Sequence, residues 1–587
     1  MKHLRYPAAS IAVAVLTAAC AGAAAPGGEA AEVDATGAAS ATTVAVTGGT
    51  TTANAADHDD PADYEWEPSE ELAVTLAGDS AAVDADGAVV DGSTVTLTAA
   101  GTYRVSGTLT DGRIVVDVAG DDLVRLILDG VDITSASSAP VTVAGAGEVV
   151  VILADGSENH LTDAAAYVFD DPEEEEPNAA LFSTADLTIA GTGSLDVDGN
   201  FNDGIASKDG LVIVGGVITV DAVDDGIRGK DYLVVKDGDI SVTAGGDGLK
   251  ADNDEDASLG YVSVLAGTLD VVAGGDGIDA ETDVVVAGGE ISVVAGGGSG
   301  AALAADASAK GIKGTVSVIL DGGSVSIDSA DDAVHSNGAV TIESGTVRAV
   351  TGDDGVHADA TLTVNGGVVD VSGSYEGLES AVITLNGGNI SIVSSDDGVN
   401  TAGGNDGSGE QRPGPGRGPD AFAVSGDCLL TINGGTLLIE ADGDGIDANG
   451  GVVMTEGTVV VHGPTANDNG ALDFASFEIS GGLLVAAGSG GMAQAPGGAS
   501  NQPVLHLMFG STQAAGTLVH VQTADGEDVV TFQPGKDYQS VVVSSPNISA
   551  GVTYDVFVGG SAGGESSFGL YEAGAYTPGT EVGSLTA

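Results

Sequence analysis

The chain of 587 residues carries 87 acidic side chains against 16 basic ones, a formal net charge of −71. That balance excludes nucleic acid and anionic membrane surfaces as electrostatic partners and leaves metal cations or basic surfaces as counter-charges; adaptation to a saline habitat is the alternative that implies no ligand. The 93 glycines and 43% apolar residues suit a stacked β architecture better than a disordered chain.

Residues 1–20 read as a bacterial export signal, with Lys2 and Arg5 ahead of an apolar run from Ala8 to Ala19 and then Cys20. The stretch Leu16 to Cys20 resembles a lipobox, which implies that Cys20 becomes the lipidated first residue of the mature protein. Thr17 stands where leucine is usual, and ordinary signal cleavage nearby is the alternative. Residues 21–63, rich in Ala, Gly and Thr, are expected to form a disordered tether. No other stretch is long and apolar enough to span a bilayer. With Cys20 lipidated, Cys428 lacks a disulfide partner and is expected to be a small buried residue.

Over 64–185 apolar and polar residues alternate in short runs separated by Gly and Asp turns. These runs predict irregular β coils that cover the N-terminal end of a solenoid, because an open coil edge invites pairing with another chain. The acidic run over 170–177 is expected to be a solvated loop.

Between residues 200 and 473 the chain returns eleven times to a short Asp-Gly-aliphatic signature, most returns being 22 residues apart. Clear copies begin at Asp203, Asp225, Asp247, Asp276, Asp354, Asp397 and Asp444, and weaker ones at Lys310, Asp332, Glu376 and Asn469. Each unit holds two β-rich runs and no helix-forming stretch, and it is too short for a propeller blade. The period therefore predicts an all-β fold, a parallel β-helix over 186–495 with three short strands per coil of about 22 residues. Corner glycines are expected to supply positive φ. Insertions after Asp252 and over 402–420 should emerge as loops on one side, and the interval 279–310 reads as one degenerate coil. Longer alternating runs over 496–587 predict a C-terminal β cap or subdomain.

Stacked coils lie about 4.8 Å apart, so equivalent positions form ladders along the axis. Two places after each acidic position comes an aliphatic ladder from Ile205 to Ile446 that should be core. The acidic positions form a second ladder: Asp203, Asp225, Asp247, Asp276, Asp332, Asp354, Asp397 and Asp444, interrupted by Lys310 and Glu376 and doubled one residue earlier by Asp224, Asp331, Asp353 and Asp396. Unit charges at this spacing repel by about 3.5 kcal/mol at an effective dielectric near 20, so bound cations or raised pKa values must compensate. Oxygen-only ligands favour calcium over zinc. The alternative is that these residues cap turns by accepting backbone N–H bonds and bind nothing.

Three and five places after the acidic position, Lys208, Arg228, Lys230 and Lys250 should form one basic patch on an acidic body. Two roles stay open for them: gripping carboxylated sugars, or neutralising neighbouring aspartates. His335 and His357, one rung apart, are expected to be surface ladder residues rather than a catalytic or metal pair. Glycine-rich runs near 274 and 442 look like nonapeptide calcium repeats, but their period is wrong. No serine-hydrolase elbow, zinc-protease helix or phosphate loop occurs.

Runs around Tyr103, Leu126, Ile152 and Asn178, continuing through Asp203, Lys208, Asp225, Arg228 and Lys230, resemble the bacterial carbohydrate-binding-domain lipoproteins over roughly 70–560. The resemblance implies a right-handed β-helix similar to pectate lyases. It also implies calcium and extracellular binding of plant-type polysaccharides, notably cellulose and polygalacturonate, without established lyase activity. Within that range acidic sugars are favoured, because the aromatic residues of the repeat zone occupy no common column and offer no flat strip for crystalline cellulose. The expectation is a monomeric, non-catalytic polysaccharide binder at the cell surface, touching the membrane only through a lipid anchor. A calcium-dependent polyuronate lyase, with Lys230 or Arg228 as base, and a structural adhesin are the alternatives.

Overall fold

The computed structural model describes residues 53–83, 86–169, 175–304, 307–402, 428–571 and 575–587. Those beyond Ala53 belong to one compact unit, Asn54–Ala587. Cys20, the residues of 170–177 before Glu175, and nearly all of the 402–420 insertion lie outside the described residues.

Apart from two short 3-10 turns, Pro61–Tyr64 and Pro68–Glu70, the regular structure is all strand. Among the described residues one sheet of 44 strands, mostly parallel, is joined by a second sheet of six. The parallel pairing begins at Leu72–Gly78 against Gly101–Leu109 and passes through Leu123–Thr134 and Glu148–Leu153 to Asp186–Gly191, so the first strands share the large sheet. It ends where Leu483–Gly488 and Val504–Gln513 both pair antiparallel with Tyr538–Ser544. Antiparallel strands between Val519 and Thr586, other than Tyr538–Ser544, form the second sheet. This mostly parallel organisation is consistent with the expected β-helix.

The signature segments stack in register. Ile205 pairs with Ile227, Ile227 with Leu249, then Ile278, Ile312, Val334, Val356, Leu378, Val399 and Ile446 in turn. All of these side chains are fully buried, as the aliphatic ladder predicts, each contributing about 1.5–3 kcal/mol of burial. Ile278 pairs directly with Ile312, and the interval between them, expected to be one degenerate coil, holds regular second and third strands at Asp283–Val286 and Glu290–Ala295. Cys428 is buried and free.

Two glycine columns exist for different reasons. At the turn after the second strand the glycine has positive φ, as at Gly216 (+103°) and Gly289 (+92°), where an L side chain is strained. The signature glycine has no such φ; its constraint is space. A Cβ on Gly226 would lie deep inside van der Waals contact of Val242 Cγ1 and 2.6 Å from the carbonyl oxygen of Gly248. Gly204, Gly248, Gly277 and Gly445 meet Val220, Val271, Val293 and Val461 in the same way. The one described coil with alanine in this place, Ala333, compensates. The third-strand position that is Ile327 one rung before and Val371 one rung after is Ala349. Gly226→Ala should therefore destabilise the fold by about 1–3 kcal/mol through overpacking, and Val242→Ala in the same chain should recover part of that loss. A double-mutant cycle by urea unfolding in which the two changes simply add would exclude the contact.

Candidate functional site

The acidic column is built by the backbone before it does anything else. Asp203 Oδ1 accepts the amide N–H of Asp225 at 3.3 Å, Asp225 that of Asp247 at 2.9 Å, Asp247 that of Asp276 at 2.8 Å and Asp276 that of Lys310 at 2.7 Å. The series resumes from Asp332 to Asp354 (3.0 Å), Asp354 to Glu376 (3.2 Å) and Asp397 to Asp444 (2.6 Å), and Asp444 accepts the amide of Gly470. Where Lys310 occupies the column, the amide of Asp332 is served by Asp331 Oδ1 instead. These carboxylates accept backbone N–H bonds, as the non-binding reading expected, but across rungs: each ties one coil to the next. The second oxygen keeps the charge.

That charge meets protein cations along the first half of the column. Arg228 lies 3.7 Å from Asp203 Oδ2 and 2.5 Å from Asp252, and Lys250 reaches Asp225 at 3.2 Å and Asp247 at 2.6 Å. Lys313 bridges Asp276 and Asp279, and the buried Lys310 sits 2.9 Å from both Asp331 and Asp332. Of the two roles left open for the basic residues, Arg228 and Lys250 take the neutralising one. Burial and the neighbouring Asp225 still push the Asp203 carboxyl up to about 7, against the pull of Arg228. Asp224, one of the doubling residues, is exposed, whereas Asp331 is buried and Asp353 half-buried.

Asp397 and Asp444 have no Lys, Arg or His ion pair among the described residues. Burial and the negative charges of Asp396, Asp444 and Asp447 push Asp397 up to about 9, while burial raises Asp444 to about 7. One carboxylate oxygen from each of Asp397, Asp444 and Asp447 lies within 4.8 Å of the others. Asn400, in register with Asp447, is 3% exposed. Its Nδ2 donates to Glu376 Oε1 at 3.1 Å, while its Oδ1 and the Glu376 Oε2 are buried without a partner. The three aspartates offer oxygen ligands with no sulfur or imidazole among them, the donor type that calcium prefers.

Lys208, Arg228 and Lys230 meet at a cavity of about 330 Å³ lined also by Glu175, Glu176, Asn178 and Phe182. Lys208 pairs with Glu176. Asn178 donates to Asp203 Oδ2 at 3.0 Å, which ties the cavity to the first rung of the acidic column. Lys230 has no ion-pair partner among the described residues. Lys250 is not part of the lining, so the four cations divide between this cavity and the column beside it.

Three further expectations are corrected. His335 and His357 are buried, not surface residues; their rings stack at 4.9 Å, because the coil geometry folds the column inward against its own carboxylates. Tyr232 and Tyr261 do share a column, in register with rings stacked at 5.4 Å; the insertion after Asp252 hides this in the spacing. The tether expected over 21–63 ends earlier. From Asn54 the chain lies along the second-strand face: Tyr261 donates to the Ala55 carbonyl, and the Asp57 and Asp59 carboxylates hold Lys236 at 2.8 and 2.7 Å. His58 bonds both Tyr232 Oη and Thr188 Oγ1 at 2.8 Å.

Beneath this strap, burial together with Asp63 and Asp186 pushes the Glu148 carboxyl up to about 7. A carboxyl raised on folding binds a proton that the unfolded chain releases near its ordinary pKa, about 4.3. Its contribution is therefore lost as pH rises from there through about 7. Glu148→Gln should flatten this part of the stability profile, raising Tm at pH values above 7 while leaving it unchanged at acid pH. Parallel melting curves for the two proteins across the range would contradict the assignment.

Residues 91–355 match the family described as carbohydrate-binding domain-containing protein, a narrower span than the resemblance expected. A carbohydrate-binding domain-containing protein of Acetivibrio thermocellus is 47% identical over 137 residues, 23% of this chain and 48% of that protein. The chain thus spans about half the length of the curated relative it matches. Among solved structures, a gadolinium derivative of the polysaccharide lyase-like protein from C. thermocellum is 30% identical, with 50% of this chain and 96% of that one covered and a TM-score of 0.37.

Proposed function

We propose that the protein is a non-catalytic, extracellular polysaccharide-binding protein, carried at the cell surface by a lipid on Cys20, that grips acidic chains such as polygalacturonate with the help of calcium. The family match supports polysaccharide binding, and it spans the cavity of Lys208, Arg228 and Lys230. The observation that carries the preference for acidic sugars is Lys230. In a chain of net charge −71 this half-buried ammonium lines a cavity and meets no carboxylate among the described residues. Uronate carboxylates would supply the missing partner through charge-assisted hydrogen bonds. The stacked Tyr232 and Tyr261 lie under the strap and offer no open platform for cellulose. Removing one charge-assisted contact costs about 1.5–3 kcal/mol. Lys230→Ala should therefore weaken polygalacturonate binding about tenfold or more in affinity electrophoresis and leave any cellulose binding unchanged. Unretarded migration of the unmodified protein in pectate, xylan and cellulose gels alike would favour a structural adhesin.

The same lysine supports a second reading, a polyuronate lyase in which Lys230 abstracts the proton beside the sugar carboxylate. Unsaturated product formed from polygalacturonate at enzyme-like turnover, and lost in Lys230→Ala, would establish it over the binder.

Calcium is assigned to Asp397, Asp444 and Asp447, whose carboxylate oxygens lie within 4.8 Å of one another, with Asn400 in register with Asp447. There the divalent ion would replace the side-chain cations that serve Asp203 to Asp332. A bound ion stabilises the folded chain by about 2.7 kcal/mol at a concentration 100 times its Kd. Calcium should raise Tm in the unmodified protein and fail to do so in an Asp397→Asn, Asp444→Asn double variant. An equal rise in both would move calcium elsewhere.

A further inference from the structure

Between the lysine-bearing rungs and the calcium-poised end, the column carries two histidines in one small volume. His335 pairs in register with His357, and the two rings lie 4.9 Å apart and 13° from parallel. Asp332 Oδ2 is 2.8 Å from His335 Nδ1. His357 Nδ1 is 3.3 Å from Asp354 Oδ2 and 3.0 Å from Glu379 Oε2, with Asp359 3.1 Å from its Nε2. The side chains of Asp332, His357, Asp354, His335 and Glu379 are 0, 1, 3, 6 and 8% exposed. One ligand atom each from Asp332, His335 and His357 falls within 4.8 Å of the others, and so does one each from Asp354, His357 and Glu379.

We propose that His335, His357 and the carboxylates around them bind a divalent transition metal of the zinc class, at a site distinct from the oxygen-only calcium group. The donor set makes the distinction. Imidazole nitrogen suits zinc and its neighbours, whereas calcium takes oxygen, and no other described rung places a histidine in this column. The arrangement of His335 also suits a ligand. Asp332 holds its Nδ1, as a carboxylate does when it orients a metal-binding imidazole, and Nε2 has no hydrogen-bond partner among the described residues. Charge points the same way. The two lysines beside these rungs are already engaged, Lys310 by Asp331 and Asp332 and Lys313 by Asp276 and Asp279, and the ion pairs of Asp354 and Glu379 among the described residues are with the His357 imidazole.

The test is a calorimetric titration of the full chain, stripped of metal, with zinc in the presence of excess calcium. One tight zinc step should persist under calcium, weaken about 100-fold in His335→Ala and in His357→Ala, and survive in the Asp397→Asn, Asp444→Asn variant that removes the calcium response. The last outcome separates this site from the calcium reading. Should the histidine variants fail to fold, zinc X-ray absorption on the unmodified protein decides the matter: scattering from coordinated imidazole supports the site. A spectrum with oxygen neighbours alone, a zinc step unchanged in folded histidine variants, or no zinc step would overturn the proposal.

Discussion

Each coil is joined to the next by a carboxylate that accepts the backbone amide of its own successor. The bond from Asp225 Oδ1 to the amide of Asp247 is one link, and its equivalents run from Asp203 to Asp444 with interruptions at Lys310 and Glu376. A side chain without an acceptor oxygen at this reach could not bridge a rung in this way, and the longer Glu376 breaks the series. The arrangement aligns the coils but leaves one charged oxygen per rung stacked upon the last, mostly buried. Like charges at such spacing in a poorly solvated column demand compensation.

The chain meets that demand differently along its length. Arg228, Lys250, Lys313 and Lys310 neutralise the first rungs from within, and the histidines stand at the transition. Beyond Glu376, Asp397 and Asp444 lack such ion pairs among the described residues, and burial together with neighbouring carboxylates raises both carboxyls. The cavity at Lys208 and Lys230 lies at the opposite, cation-rich end, joined to the column through Asn178 and Asp203. The differing compensation along a single column thus separates the proposed site for anionic sugar from the proposed metal sites.

Much of this was legible in the residues. The aliphatic ladder, the register of the acidic positions and the need for counter-charge follow from a 22-residue period and Coulomb repulsion. What sequence reasoning missed were matters of direction and reach. Lys250 looks like a member of an outward patch until its ammonium is seen between Asp225 and Asp247. The common column of Tyr232 and Tyr261 is disguised because the insertion after Asp252 stretches their separation to 29 residues. A signal for the histidine cluster did exist, since both histidines fall three places after a column aspartate, the place held elsewhere by Arg228, Lys250 and Lys313.

The sequence by itself determined the all-β repeat, the buried aliphatic ladder and the stacking of like charges, because periodic spacing in a parallel sheet carries each residue type to the same place on every rung. Only the tertiary structure decided which charges are already satisfied, why the signature glycine must lack a Cβ, and where residues 54–63 lie. Those outcomes depend on contacts between side chains and segments far apart in the chain, such as Gly226 with Val242 or His58 with Tyr232. Periodicity fixes the rung a residue occupies; the length and direction of its side chain, and the neighbours already there, choose its partner.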